Sequence, residues 1–169
     1  NQRESDVSGT GAYCHITVLA RNADGLRNLF RLQAEAYRTG FYRKPRIDLE
    51  LLSDHREGLV VLTGCMGGIL STRFKLRQPD EAKTHAAELK DIFGENLYVE
   101  VMNHGIDIEE ELNANLRAVA YELQIPMVAT GDAHYVYPDQ SGVHSALLCV
   151  QTRSTLANTK FKFSGSGYH

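Results

Sequence analysis

The sequence predicts an α/β fold built on parallel strands. Strand-like and helix-like segments alternate along the chain, the order expected of a sheet covered by helices. Leu59 to Leu62 form a continuous apolar run between Gly58 and Gly64, the pattern of a strand buried on both faces. The gaps between strands hold enough residues for right-handed helical crossovers. A doubly wound sheet and a barrel both satisfy these observations, and both place chemistry at the carboxyl ends of strands.

The elements follow in order. Ala12 to Ala20 is rich in β-branched and aromatic residues and reads as the first strand. Asn22 can cap the next helix, which runs to about Arg38 with Leu26, Leu29, Phe30 and Ala34 at helical spacing. Gly40 ends it. Tyr42 to Arg46 is a basic loop, and Asp48 caps a short helix that stops before Gly58. After the strand at Leu59, a Gly67-Gly68 turn leads to a helix carrying Ile69, Phe74 and Leu76. Pro79 starts the next helix, with Asp80 and Glu81 at its positive end and Gly94 closing it. Asn96 to Met102 is the third strand, and residues 109–123 form a helix with Leu112, Leu116, Val119, Ala120 and Leu123 on one side. Pro126 to Ala129 reads as a fourth, buried strand, ending in Thr130-Gly131-Asp132. Pro138 opens a helix through about Val150.

Composition excludes several classes. A hydrophobic fraction of 43% and a charged fraction of 23% are those of a globular protein, so a disordered chain is excluded. A net charge of −3 demands no nucleic acid, although an acidic domain can still belong to a nucleic-acid machine. Three widely spaced cysteines, Cys14, Cys65 and Cys149, make a poor disulfide framework and point to a reducing, cytoplasmic compartment. No run approaches the roughly 20 apolar residues of a membrane span, and the polar start has no signal-peptide pattern. Residues 1–11 read as a loop or cut end, and FSGSGYH stops within a loop or hairpin. A piece of a longer polypeptide is expected.

Chemistry-bearing side chains collect at three strand ends. Cys65 follows the second strand, Glu100 lies in the third with Asn103 and His104 after it, and Asp132-Ala133-His134 follows the fourth. In an extended segment residues i and i+2 point the same way, so Asp132 and His134 are expected to converge on one point. A carboxylate with an imidazole suits zinc, manganese or iron, and a thiolate favours zinc over magnesium. The bland readings are a turn aspartate with a capping histidine, and a buried inert thiol. Glu100 within an apolar strand must be paired or bound if it points inward. Arg43, Lys44 and Arg46 are only three charges and read as a solvated loop rather than a phosphate site. The glycine spacing around Gly64, Gly67 and Gly68 fits neither GxGxxG nor GxxxxGK[ST], and there is no serine nucleophile elbow.

Longer segments carry a more specific signal. LVVLTGCMGG (59–68), ENLYVEVMNHGIDIEEELN (95–113), IPMVATGDAHYVYPDQSGVHSALLCVQT (125–152) and residues 25–59 resemble the PHP (polymerase and histidinol phosphatase) domain at the amino end of the bacterial DNA polymerase III alpha subunit. FKFSGSGYH (161–169) looks most like actinobacterial versions. The resemblance implies a distorted (β/α)7 barrel, partial here over residues 12–152, with 153–169 starting the connection toward the polymerase body. It implies a cluster of two or three divalent metal ions, zinc first, with manganese, iron or magnesium as alternatives. The ligands that match are His15 in YCHIT, Cys65 in TGC, and Asp132 and His134 in GDAH. The family's opening His-x-His strand and further ligands would lie before residue 1. Gly131 stands where the family often has Asn, and Ile69-Leu70 where Glu is frequent.

The implied function is part of a replicative DNA-directed DNA polymerase, whose palm magnesium site lies outside this chain. A PHP module with its ligands complete can act as a metal-dependent 3′–5′ exonuclease. The implied partners are DNA, the rest of the alpha subunit, and replisome subunits such as the sliding clamp. The alternatives are a non-catalytic structural or proofreading-subunit-binding module, and a free-standing phosphoesterase. This chain by itself is expected to show little or no exonuclease activity.

Overall fold

The structure is a computed structural model and describes residues 13–42, 44–160 and 167–169. Four strands form one sheet in chain order: β1 (Thr17–Ala20), β2 (Leu59–Leu62), β3 (Leu97–Val101) and β4 (Met127–Ala129). The helices are α1 (Ala23–Arg38), α2 (Leu49–Asp54), α3 (Ile69–Lys75), α4 (Pro79–Phe93), α5 (Asp107–Glu122) and α6 (Ser141–Thr152). β2, β3 and β4 are parallel, as the crossovers α3–α4 and α5 require.

β1 departs from the expected all-parallel order. It pairs antiparallel with β2, Thr17 opposite Leu62 and Ala20 opposite Leu59. The reason lies in the connection. α1 runs outward for 16 residues, about 24 Å, and α2 brings the chain back. The chain therefore enters β2 at the end where β1 finished, and Arg21 N–H donates to the Gly58 carbonyl at 2.8 Å. Among the described residues the sheet is open and mixed, with β1 and β4 as its edges, and not a closed barrel.

Local signals set most boundaries. Asn22 Oδ1 accepts from Gly25 N–H at 2.9 Å and Asp48 Oδ1 from Leu51 N–H at 3.0 Å, capping α1 and α2. Gly94, at φ +54°, closes α4. α5 begins two residues earlier than its apolar spacing suggests, at Asp107 in its acidic first turn. Pro138 opens a short 3₁₀ turn before α6.

The core lies between the sheet and α1–α5. Leu59, Val61, Leu97 and Val99 are buried against Leu32, Leu70, Phe74, Ala86, Leu89, Leu112 and Leu116. α1 turns a different face inward than its apolar spacing suggests. Asn28, Leu32 and Ala36 are buried, while Leu26 is 46% and Phe30 66% exposed. Gly25 fixes this rotation, because any Cβ there would strike the Gly58 carbonyl. Asn28 Nδ2 donates to the Glu57 carbonyl at 2.9 Å on the same side.

Two further expectations change. β4 is not buried: Met127 and Ala129 are exposed, because among the described residues β4 pairs with β3 alone. The basic loop is not wholly solvated. Arg46 is buried, donates from Nε to the Gly40 carbonyl at 3.3 Å, and lies over the Tyr42 ring at 5.0 Å. Arg43, residues 1–12 and residues 161–166 lie outside the described residues.

Candidate metal centre

The antiparallel β1 decides where the candidate ligands meet. The start of β1 lies beside the end of β2, so His15, just before β1, reaches Cys65, just after β2. His15 N–H donates to the Gly67 carbonyl at 2.8 Å, and His15 bridges Gly68. Cys65 Sγ lies 3.6 Å from His15 Nδ1 and accepts the Gly67 N–H at 3.4 Å. The turn admits this approach because it is glycine-rich. A Cβ on Gly67 would lie 3.1 Å from His15 Nδ1, and Gly64 takes φ +84°. The Cys65 pKa is raised, first by burial, against the Gly67 N–H, with the Asp132 and Glu100 carboxylates adding to the rise.

Asp132 and His134 follow β4 at the same end of the sheet. They do not converge by simple i, i+2 alternation. Asp132 adopts φ +44°, so the segment turns there instead of staying extended. His134 Nδ1 faces the Asp132 carbonyl oxygen at 2.5 Å. A carbonyl can only accept, so Nδ1 carries the proton and the lone pair sits on Nε2. A metal held by His134 would therefore be held through Nε2, whereas His15 turns Nδ1 toward Cys65. The His134 ring also stands edge-on to Tyr168 and tilted against His144, at 5.8 and 5.5 Å between centroids.

Glu100 holds these strand ends together. It is 4% exposed and points inward. Its Oε1 accepts the Thr130 hydroxyl at 2.6 Å, and its Oε2 accepts Gly64 N–H at 2.9 Å and the Thr17 hydroxyl at 3.3 Å. Its own N–H donates to Thr63 Oγ1 at 2.9 Å. One side chain on β3 therefore bonds residues of β1, the β2 end and the β4 end. The sequence shows a carboxylate in an apolar strand; the threonines at positions 17, 63 and 130 are the signal of its partners.

His104 is buried rather than a surface loop residue. Glu109 accepts its backbone N–H and its Nδ1–H, both at 2.6 Å, and its Nε2 donates to the Gly131 carbonyl at 2.9 Å. Burial works against a charged ring here. The Glu109 hydrogen bond, the Gly131 carbonyl and the charges of Glu109 and Asp132 outweigh it, so the His104 pKa is raised. The pair joins the loop before α5 to the first turn of that helix, a contact that the sequence does not mark.

The donor chemistry fits a zinc-type ion at the first pair. Sulfur and nitrogen ligands of one tetrahedral zinc stand about 3.5 Å apart, from bonds of about 2.3 and 2.0 Å. Cys65 Sγ and His15 Nδ1 stand at 3.6 Å. Among the described residues, however, no group of three or more His, Cys, Asp or Glu gathers closely enough to hold a metal ion. Asp132 and His134 are thus brought to the same sheet end as the first pair without joining it in one cage.

The PHP domain family profile matches residues 3–104, more than half of the chain. This chain belongs to the PHP domain family. The matched region includes His15 and Cys65 and ends at His104, before Asp132 and His134. Related proteins extend the likeness over the remainder. The chain is 52% identical to DNA polymerase III subunit alpha of Saccharopolyspora erythraea over 97% of its length. It is 45% identical to the subunit of the same name from Mycobacterium tuberculosis over 100% of its length, and 39% identical to that of Thermus aquaticus over 86%. The PHP chain spans about 14% of the length of the first two relatives and 12% of the third. Among the described residues no helix is long and apolar enough to cross a membrane.

Proposed function

We propose that this PHP chain supplies part of a metal site within a DNA polymerase III alpha subunit. In that setting it contributes to metal-dependent 3′–5′ hydrolysis of DNA phosphodiesters. The observation that carries the reading is the approach of Cys65 to His15 at 3.6 Å, at the sheet end that also bears Asp132 and His134. Bound divalent ions, zinc first and manganese, iron or magnesium as alternatives, would acidify a water and neutralise charge on the scissile phosphate. His15, Cys65, Asp132 and His134 would hold them. The Gly64–Gly68 turn shapes the thiol's surroundings, and Glu100 keeps the strand ends in register. The expected partners are DNA, the rest of the alpha subunit and replisome subunits such as the sliding clamp, and the expected compartment is the cytoplasm.

One observation favours a second reading, a non-catalytic module that stabilises a polymerase or binds a proofreading subunit. The described residues assemble no three-ligand cage. Zinc titration of the full chain, read by competition with a chromophoric chelator, tests the metal-site reading. Wild type is expected to bind zinc and Cys65→Ser to bind at least about tenfold more weakly. Equal affinity in the two proteins would sink the metal-site reading. Degradation of single-stranded DNA 3′ ends by the full chain with zinc or manganese, abolished by Asp132→Asn, would refute the non-catalytic reading. It would also refute the expectation that this chain alone is inactive.

A further inference from the structure

The segment carrying Asp132 and His134 is held at both ends by groups outside the proposed ligand set. At one end, His104 Nε2–H donates to the Gly131 carbonyl at 2.9 Å. At the other, the Tyr168 carbonyl accepts the His134 N–H at 2.8 Å and the Tyr135 N–H at 3.3 Å. The two holds are physically joined. The Tyr168 ring stacks on the His104 imidazole, with centroids 4.0 Å apart and planes 9° from parallel. Tyr168, His104 and Glu109 are all buried. Glu109 in turn fixes His104 through both the ring Nδ1–H and the backbone N–H.

What lies between the two holds is an unusual piece of backbone. Asp132 at φ +44° sits in the left-handed region, which costs a non-glycine residue free energy, though Asp less than most. The carbonyl held by His104 belongs to the residue immediately before it. Both ring nitrogens of His104 face oxygen atoms, Glu109 Oε1 and the Gly131 carbonyl, and these two contacts fix the orientation of the ring.

We propose that His104 is a positioning residue for the metal centre. Together with Glu109 and Tyr168 it sets the backbone of residues 131–135, so that Asp132 and His134 are presented at the sheet end where Cys65 and His15 meet. The inference rests on the metal-site reading for its consequence, and on the hydrogen bonds above for its mechanism.

Two amide variants separate positioning from mere packing. In His104→Gln the side-chain amide N–H lies near the Nε2 position and can still donate to Gly131. In His104→Asn it lies near Nδ1, keeps the bond to Glu109 and loses Gly131. Two readouts are taken on the full chain: zinc affinity by chelator competition, and hydrogen exchange of residues 131–135 in metal-free protein. His104→Asn is expected to weaken zinc binding about ten- to hundredfold and to speed exchange at His134 and Tyr135, with His104→Gln within about threefold of wild type. Equal exchange in the two variants overturns the proposal, as does unequal exchange with equal zinc affinity in a wild type that binds zinc. If wild type binds no zinc, the metal-site reading fails, and the exchange comparison alone decides the positioning role. If His104→Asn does not fold, Tyr168→Leu removes the ring stack and leaves His104 in place. Faster exchange at His134 in that variant supports the proposal, and unchanged exchange overturns it.

Discussion

Glu100 and Thr130 share a 2.6 Å hydrogen bond that fastens the middle of the sheet to the segment leading into Asp132. The other Glu100 oxygen takes a backbone N–H from the Gly64 turn, so one carboxylate joins the two halves of the candidate centre. Both oxygens are spent on protein donors. Glu100 is in this way a strut of the site, distinct from the four residues proposed to bind metal.

Removing the strut leaves three donors without their acceptor. Glu100→Ala is expected to destabilise the chain by about 3 kcal/mol, since each buried group left unsatisfied costs about 1–3 kcal/mol and water recovers part of that. Glu100→Gln keeps one acceptor oxygen and should lose about half as much. Urea unfolding followed by circular dichroism measures both. A change below about 0.5 kcal/mol in Glu100→Ala would show that the strut is dispensable.

The two adjacent glycines of the β2 turn should respond differently. A Cβ on Gly68 meets the backbone carbonyls of Thr63 and Cys65, which cannot move without breaking the turn. A Cβ on Gly67 meets the His15 ring, a side chain that can swing aside. Gly68→Ala is therefore expected to lower stability by about 2 kcal/mol or more. Gly67→Ala should stay within about 1 kcal/mol of wild type and lose zinc affinity instead, because its yielding neighbour is a proposed ligand. Thermal melts with and without zinc distinguish them. Equal melting losses with equal zinc responses would contradict the assignment.

The buried His104–Glu109 pair predicts a pH-dependent contribution to stability. The folded pKa of His104 is raised above its ordinary value near about 6.5. The stabilisation is then fully present below that ordinary value and is lost as pH rises through the folded one. The gap in urea midpoint between wild type and His104→Gln should be widest below pH about 6.5 and shrink as pH climbs above it. A gap that stays constant across that range would mean the ring does not lose a proton there.

How far the fold is legible in the sequence depends on the kind of signal involved. Caps and helix stops at Asn22, Asp48, Pro79 and Gly94 are local, and each stands where its residue type announces it. The direction of β1 was not local. It depends on α1 and α2 together making an excursion that returns to the same end of the sheet, and composition cannot distinguish that from a single crossover. The helical spacing of α1 is legible in the sequence, but its rotation is not, because Gly25 and Asn28 carry no apolar signal and yet their fit against Gly58 and Glu57 sets it.

The candidate site divides in the same way. Cys65, Asp132 and His134 stood out because they follow strands, where α/β folds concentrate chemistry. His15 gained its role only from family likeness. Its physical reason, the antiparallel β1 beside the Cys65 turn, is a tertiary fact. Asp132 and His134 are not aligned by i, i+2 alternation, because the left-handed Asp132 backbone turns the segment. Tyr168 could not be singled out at all, since its contribution is a backbone carbonyl and a ring face supplied from far along the chain.

The sheet order repeats the chain order, β1 beside β2, β2 beside β3, β3 beside β4. Among the described strands, none is threaded between two earlier ones. A chain emerging from the ribosome amino end first can therefore add each strand to a finished edge as it appears. On that timetable Cys65 and His15 meet early, Glu100 waits for Thr130, and the Asp132–His134 segment is locked only when Tyr168 arrives. The proposed ligands would be complete in the chain some time before they are complete in space, and a metal captured in that interval would find one pair fixed and the other still free to move.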